Sequence, residues 1–344
     1  MISKGDVHES ENTHQTEVEL VAQEITELLQ PLALLVSTHS PQGEELENDE
    51  DVNALHREAW FNIVVHGITL SSKLGQQYEN ELRILAVHSR PLIAEDRADQ
   101  LESDVELNTV LRRGMNAQHT AEQKRRLISV LPSRESEIRG LSYPKVIFLS
   151  AAYLVESLRA VSGDCTKVLT YFLDPSLKGS EMGQCMVTIA DEVVGIYLSK
   201  ALSDNHQEFA APFVAKQLAE FFTGCCHRIL KVQQVAASSA DRIIIQIPSS
   251  LCQKSSLFAL LELLTIMWSS CLEAEIDEYT WKSTFTSVRG KVSVELSDDY
   301  AVRRSTLNTF YKRAKDWVMG VMNIAPLDVK GLLQVCLHSL PWLP

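Results

Sequence analysis

Apolar side chains recur every three or four residues along most of this chain, and the recurrence is densest between Ala219 and Leu272. That spacing is the period of one face of an α-helix. Val232, Val235, Ala236, Ala240, Ile243 and Ile247 share such a face. The next run, SLFALLELLTIMWSSCL (256–272), is apolar nearly all round, interrupted by one polar line of Glu262, Thr265, Ser269 and Glu273. A helix of that kind needs neighbours on most of its surface. Leu261 and Leu264 are therefore expected in its core, where truncation to Ala would leave a cavity costing roughly 2–5 kcal/mol.

The same period predicts helices elsewhere. Residues 17–38 carry a face of Val18, Val21, Ile25, Leu28, Leu29, Leu32 and Leu35, with Pro31 expected to kink it or start a second turn. Residues 53–73 place Leu55, Ala59, Trp60, Ile63, Val64 and Leu70 on one side. Shorter helices are expected over 77–88, 105–113, 119–131 and 164–173. Longer ones are expected over 142–161, with Ser142 as cap and Pro144 in the first turn, and over 180–202. Val292, Val294 and Leu296 alternate with polar residues and predict a short strand or an extended segment. Ser297 or Asp298 should then cap a helix of roughly 25 residues lined by Leu307, Phe310, Ala314, Trp317 and Val321. Pro326 should end it, and a last helix is expected over Asp328–His338.

No fixed-period repeat stands out. KVQQVAASSADRIIIQIP (231–248) nevertheless has the Val-x-x-Val-Ala-Ala and Asp-Arg pattern of the inner helix of HEAT-type repeats. Small alanines there permit close helix packing, and the Asp-Arg pair can tie one repeat to the next. The expected fold is all-α. It is an α-solenoid of stacked antiparallel helix pairs, HEAT- or armadillo-like, with at most one short β segment. Residues 1–16 are expected to be disordered, and 17–340 to form a single elongated segment. That segment carries an acidic loop at 39–52, a charged linker at 92–104 and an irregular insert at 274–297.

Composition supports helices, because Gly (14) and Pro (11) are both sparse. A net charge of −13 argues against general binding of nucleic acid phosphates. The seven cysteines are Cys165, Cys185, Cys225, Cys226, Cys252, Cys271 and Cys336. They form no CxxC and read as buried packing residues of a reducing compartment. The polar N-terminus predicts no signal peptide. The apolar run Leu257–Leu272 is shorter than the roughly 20 residues of a bilayer span and holds Glu262, so no transmembrane segment is expected.

The chain carries no P-loop, GxGxxG, GxSxG or HExxH motif. Cys225, Cys226 and His227 are consecutive, so on a helix their side chains diverge, and they read as packing. His56 and His66 stand alone as a pair and read as packing or surface residues. Asp298 and Asp299 read as helix capping. Lys124, Arg125 and Arg126 form a solvated face, or alternatively a contact for an acidic partner or lipid headgroup. Glu44, Glu45, Glu47, Asp49, Glu50 and Asp51 form a solvated loop, or alternatively a docking strip for a basic partner. No catalytic, cofactor-binding or metal-binding residue is assigned.

An ordered series of stretches resembles the helical region of fungal type III alpha phosphatidylinositol 4-kinase. It comprises VELNTVLRRG (105–114), ISVLPSRESEIRGLSYPKVIFLSAAYLVESLRA (128–160), TYFLDPSLKGS (170–180), FFTGCCHRILKVQQVAASSADRIIIQIPSSLC (221–252), FALLELLTIMW (258–268) and VELSDDYAVR (294–303). The resemblance implies a solenoid preceding a kinase domain that phosphorylates phosphatidylinositol with ATP and a divalent metal. It also implies an adaptor with tetratricopeptide repeats, a membrane-anchored scaffold and a peripheral place at the plasma membrane. No catalytic residue carries over, because none of the kinase domain's motifs occurs here. The ending HSLPWLP breaks off an apparently continuing helix, as a fragment would. The implied role is non-catalytic scaffold within a lipid kinase, and the alternative is an unrelated HEAT-like trafficking adaptor.

Overall fold

The computed structural model describes residues 6–38, 50–93, 117–174, 177, 180–203, 209–276, 282–287 and 292–339. Packing divides the chain into two compact units, one of residues 1–162 and 174–189, the other of 163–173 and 190–344.

In the first unit, helix α1 (Asp6–Thr38) begins inside the polar stretch expected to be disordered. It packs on α4 (Glu79–His88), burying Ala22, Thr26, Leu29 and Ala33. This differs from the expected face. Val21, Leu28, Leu32 and Leu35 are exposed, because the stripe of small residues lets the two backbones approach where leucines would hold them apart. Pro31 lies within α1 without ending it.

Helix α2 (Glu50–Val65) stops short of the expected residue 73. Gly67 takes φ +76°, the left-handed conformation that suits glycine. Its N–H donates to the Val64 carbonyl and that of Ile68 to the Ile63 carbonyl, which closes the helix end. Leu55, expected on the apolar side, is exposed, while Trp60, Ile63 and Val64 are buried. A one-turn helix, α3 (Lys73–Gln77), is capped by Ser72 and leads into α4. Helix α5 (Ala117–Val130) and the short α6 (Glu135–Gly140) follow.

Helix α7 (Tyr143–Val161) is the centre of this unit, with α2, α4 and α5 all packed on it. Val146, Ile147, Leu149, Val155 and Leu158 are fully buried, and Pro144 sits in the first turn as expected. Ser142 precedes the helix but makes no side-chain cap hydrogen bond. Arg159 is buried on α7 and paired with Glu156 at 2.6 Å. Its guanidinium also donates to the carbonyls of Ala86 (2.8 Å) and Ser89. Those carbonyls lie at the C-terminus of α4, where a cation is favoured by the helix dipole and by unsatisfied acceptors. The Trp60 indole N–H donates to the Ser89 hydroxyl at 3.0 Å, fastening α2 to the same point.

Helix α8 (Glu181–Ser203) begins in the first unit and ends in the second. The second unit opens with a 3₁₀ turn, Lys167–Leu173, where an α-helix was expected over 164–173. Helices α9 (Ala211–Cys225), α10 (Leu230–Gln246) and α11 (Lys254–Ile276) are the three segments of the dense apolar block. Helix α9 packs on both α10 and α11. A Cβ at Gly224 would stand 2.9 Å from the Ala236 Cβ, so glycine and alanine set the close approach of α9 to α10. Val232, Val235, Ala236, Ala240 and Ile243 are buried on the expected face.

The orientation of α11 differs from expectation. Leu257, Leu260, Leu263 and Met267 are its fully buried residues, whereas Leu261 and Leu264 are only half-buried. Glu262, the first residue of the polar line, is buried, while Trp268 and Leu272 face outward. A helix apolar all round does not select its own buried side; α9 and α12 (Tyr300–Ile324), packed on it, do so.

Strands β1 (Thr284–Thr286) and β2 (Ser293–Glu295) pair antiparallel with Phe285 opposite Val294. Val292, Val294 and Leu296 are buried as their alternation requires. Of the two carboxylates read as capping, Asp299 caps α12, one residue after the Ser297 or Asp298 start expected from the pattern; its carboxylate accepts the N–H groups of Ala301 and Val302. Leu307, Phe310, Ala314, Trp317 and Val321 line the buried side of α12. Helix α13 (Pro326–Ser339) follows, with Pro326 opening it.

The fold class is therefore the expected one: all-α, with packed helix pairs consistent with an α-solenoid and, among the described residues, one two-stranded antiparallel β element. Among the described residues, two helices have the length and apolarity to cross a bilayer, α1 over Leu20–Ser37 and α11 over Lys254–Ala274. Half of the α11 window is buried against its neighbours, as in a core helix of a folded domain. The linker at 94–104, the helix expected over 105–113 and acidic residues 44–49 lie outside the described residues.

Candidate interaction site

A broad groove lies in the second unit between α10 and α12, with a volume of about 920 Å³. Ile244, Ile245, Val321 and Ile324 give it apolar walls, and Asn308, Lys312 and Asp316 give it a polar rim. Ile245 and Ile324 are 77% and 68% exposed, more than isolated aliphatic residues on a closed surface need be.

Its polar centre is Asp241 on α10. One carboxylate oxygen accepts the Trp317 indole N–H at 2.6 Å, and the other accepts from the Arg313 guanidinium at 2.8 Å. Trp317 in turn stacks on Phe222 of α9, with ring centroids 5.0 Å apart, and meets Phe310 edge-on. Next to Asp241, Arg242 points the other way. It donates to the Asp191 carbonyl on α8 and stands 3.8 Å from the Asp191 carboxylate. The Asp-Arg pair thus ties α10 to α12 on one side and to α8 on the other, the inter-helix role its pattern implied. Trp317 as a donor to Asp241 was not readable from sequence, because nothing in the spacing of residues 241 and 317 links them.

The cysteines sit where packing requires them. Cys165, Cys185, Cys225, Cys226 and Cys271 are buried free thiols. Burial pushes the Cys185 thiol up to about 11 and raises those of Cys165, Cys225 and Cys226 well above the ordinary thiol range, so all four are held protonated. His227, beside Cys226, accepts the Ile229 N–H through Nδ1 at 3.1 Å and so shapes the turn into α10. Burial holds His227 below its ordinary pKa.

The structure separates His56 from His66 and gives each another histidine. His56 is influenced by His88, and His66 by His119, whose Nε2 lies 2.9 Å from the Tyr143 hydroxyl. Burial lowers the pKa of His56, His66 and His119, and the neighbouring positive charges lower them further. Among the described residues, no three His, Cys, Asp or Glu side chains are grouped to hold a metal.

The basic cluster is largely occupied. Lys124 donates to the Arg139 carbonyl at 2.7 Å, and Arg125 and Arg126 both pair with Glu122.

No family model matches the chain. Its sequence is 31% identical over 341 residues, 99% of its length, to the phosphatidylinositol 4-kinase STT4 of Saccharomyces cerevisiae. It is also 31% identical over 302 residues, 88% of its length, to the phosphatidylinositol 4-kinase stt4 of Schizosaccharomyces pombe. The chain matches a segment of the fungal phosphatidylinositol 4-kinases. That segment spans only 18% and 16% of the two kinases' own lengths. The kinase likeness therefore extends through both units of this chain while leaving most of each relative unmatched.

Proposed function

We propose that this chain is a scaffold segment of a phosphatidylinositol 4-kinase and does not itself carry out phosphoryl transfer. The observation that carries the reading is the match along 99% of this chain to less than a fifth of a kinase, together with an all-helical fold. The side-chain chemistry supports it. The polar side chains join helix to helix: buried Arg159 of α7 reaches the Ala86 and Ser89 carbonyls at the end of α4, and half-buried Asp241 of α10 holds Arg313 and Trp317 of α12. The buried thiols are held as thiols.

In this reading the helix pairs are HEAT-like, and the Asp241–Arg242 pair serves as the tie between successive repeats. The segment sits peripherally at the plasma membrane through partners, an adaptor with tetratricopeptide repeats and a lipid-anchored scaffold. ATP and Mg²⁺ would act elsewhere in the longer kinase.

Two measurements test this. Phosphatidylinositol vesicles incubated with the chain, labelled ATP and Mg²⁺ should yield no labelled lipid, and sustained turnover would refute the scaffold role. Replacing this segment in the longer kinase by a flexible linker should leave a catalytically competent enzyme that fails to reach the membrane. Normal recruitment without the segment would equally overturn the reading.

A further inference from the structure

Helix α1 has two apolar sides, and α4 packs on one of them. The covered side is the stripe of Ala22, Thr26, Leu29 and Ala33. Beside it, Val21, Ile25, Leu28, Leu32 and Leu35 follow one another at alternating intervals of four and three residues. Ile25 is half-buried and the other four are exposed, Leu28 by 60% and Leu35 by 57%. Single exposed leucines are ordinary, but an aligned row of aliphatic side chains marks a surface that is covered in use.

The spacing and the charge of this row say what covers it. Intervals of four and three are those of the a and d positions of a heptad, and such a seam packs knobs-into-holes against another helix. The flank of the row away from α4 is acidic: Glu24 and Glu27 are exposed there, and the 33 residues of α1 hold no Lys or Arg. A helix that lies on a membrane carries Lys and Arg beside its apolar face to meet anionic lipid, and α1 has none. A second copy of the chain would bring glutamates against glutamates at the flanks, where helix pairs are selected by opposite charge. We propose that the Val21–Leu35 row of α1 is a docking surface for a basic amphipathic helix of a partner protein. That helix lays its own apolar a and d row along Val21, Ile25, Leu28, Leu32 and Leu35 and sets Lys or Arg against Glu24 and Glu27. The inference stands on α1 alone and does not depend on the lipid-kinase reading.

The test uses a fluorescein-labelled helical peptide of about four heptads, with Ile at a, Leu at d and Lys at the flanking e and g positions. Its anisotropy is titrated with the intact chain at low and at raised salt. The native chain should bind it saturably, and more weakly at high salt. The same peptide with Glu in place of Lys should bind at least about tenfold more weakly. Leu28→Gln and Leu32→Gln should each weaken binding of the Lys peptide by about tenfold, since each removes an aliphatic side chain from the seam. Leu34→Gln, exposed on α1 but off the row, should bind as the native chain does. Thermal melts separate docking from folding: Leu28→Gln should melt at the native temperature, because its side chain is exposed in the free chain. Sedimentation of the native chain alone should show a monomer, and vesicles of phosphatidylcholine and phosphatidylserine should not retain it. No saturable binding, equal binding of the two peptides, native-like binding by both seam variants, or a lowered melt for Leu28→Gln would each overturn the proposal. So would a dimer that Leu28→Gln abolishes, which would make a second copy the occupant, or vesicle retention that it abolishes, which would make lipid the occupant.

Discussion

Asp241 and Arg159 show how single polar residues hold an all-helical molecule together. Asp241 satisfies both the Arg313 guanidinium and the Trp317 indole, so Asp241→Ala strands a donor on a buried ring. The expected loss is about 1–3 kcal/mol in urea unfolding, most of it from the unmet indole, since the arginine is partly solvated. Asp241→Asn, which keeps one acceptor, should lose less. Arg159 is more consequential because both partners of its ion pair are enclosed. Arg159→Ala leaves Glu156 buried without its cation and two α4 carbonyls without their donor, and should cost about 3–5 kcal/mol. At the same scale, Cys165, Cys225 and Cys226 should resist iodoacetamide near neutral pH in the folded chain and react after denaturation, read by mass spectrometry. Rapid native-state labelling would mean these helices open far more readily than their packing implies.

Among the elements, α11 separates burial from mere hydrophobicity. Its sequence is apolar almost all round, yet one side faces outward with Trp268 and Leu272. Leu263→Ala, at a fully buried position, should cost roughly 2–5 kcal/mol, whereas Leu264→Ala, at a half-buried one, should cost clearly less. Equal losses in denaturant titrations would mean that α11 is rotated from the orientation described. Helix α1 makes the complementary point, packing through alanine, threonine and one leucine while most of its leucines face outward.

For the whole molecule, titration of buried groups sets a pH range of stability. His56, His66, His119 and His227 all have pKa values lowered by burial. A lowered pKa means that the unfolded chain binds more protons, so stability is full above the unfolded histidine value of about 6.5 and falls as pH drops below it. The thiols act in the opposite direction. Their raised values mean that the unfolded chain loses protons first, so stability is full below about 8.5 and declines as pH rises past it. Melting temperature plotted against pH should therefore form a plateau between these limits and fall on both sides. A melt that rises on acidification through pH 6 would contradict the buried, uncharged state assigned to the histidines.

The sequence by itself determined the elements. The period of apolar positions marked the helices, the alternation at Val292, Val294 and Leu296 marked the strand, and the Asp-Arg pair on α10 announced a tie between helices. These are local properties, set by backbone geometry within a few residues. It did not determine which side of α1 or α11 would be covered, where α2 would end, or that Glu262 would fall on the covered side of α11. Those features depend on how closely separate helices can approach, which small residues such as Ala33, Gly224 and Ala236 settle only once their neighbours are in place. An amphipathic stripe records that a helix has a core face. A helix apolar on every side records no preference, so only tertiary contact can choose for it.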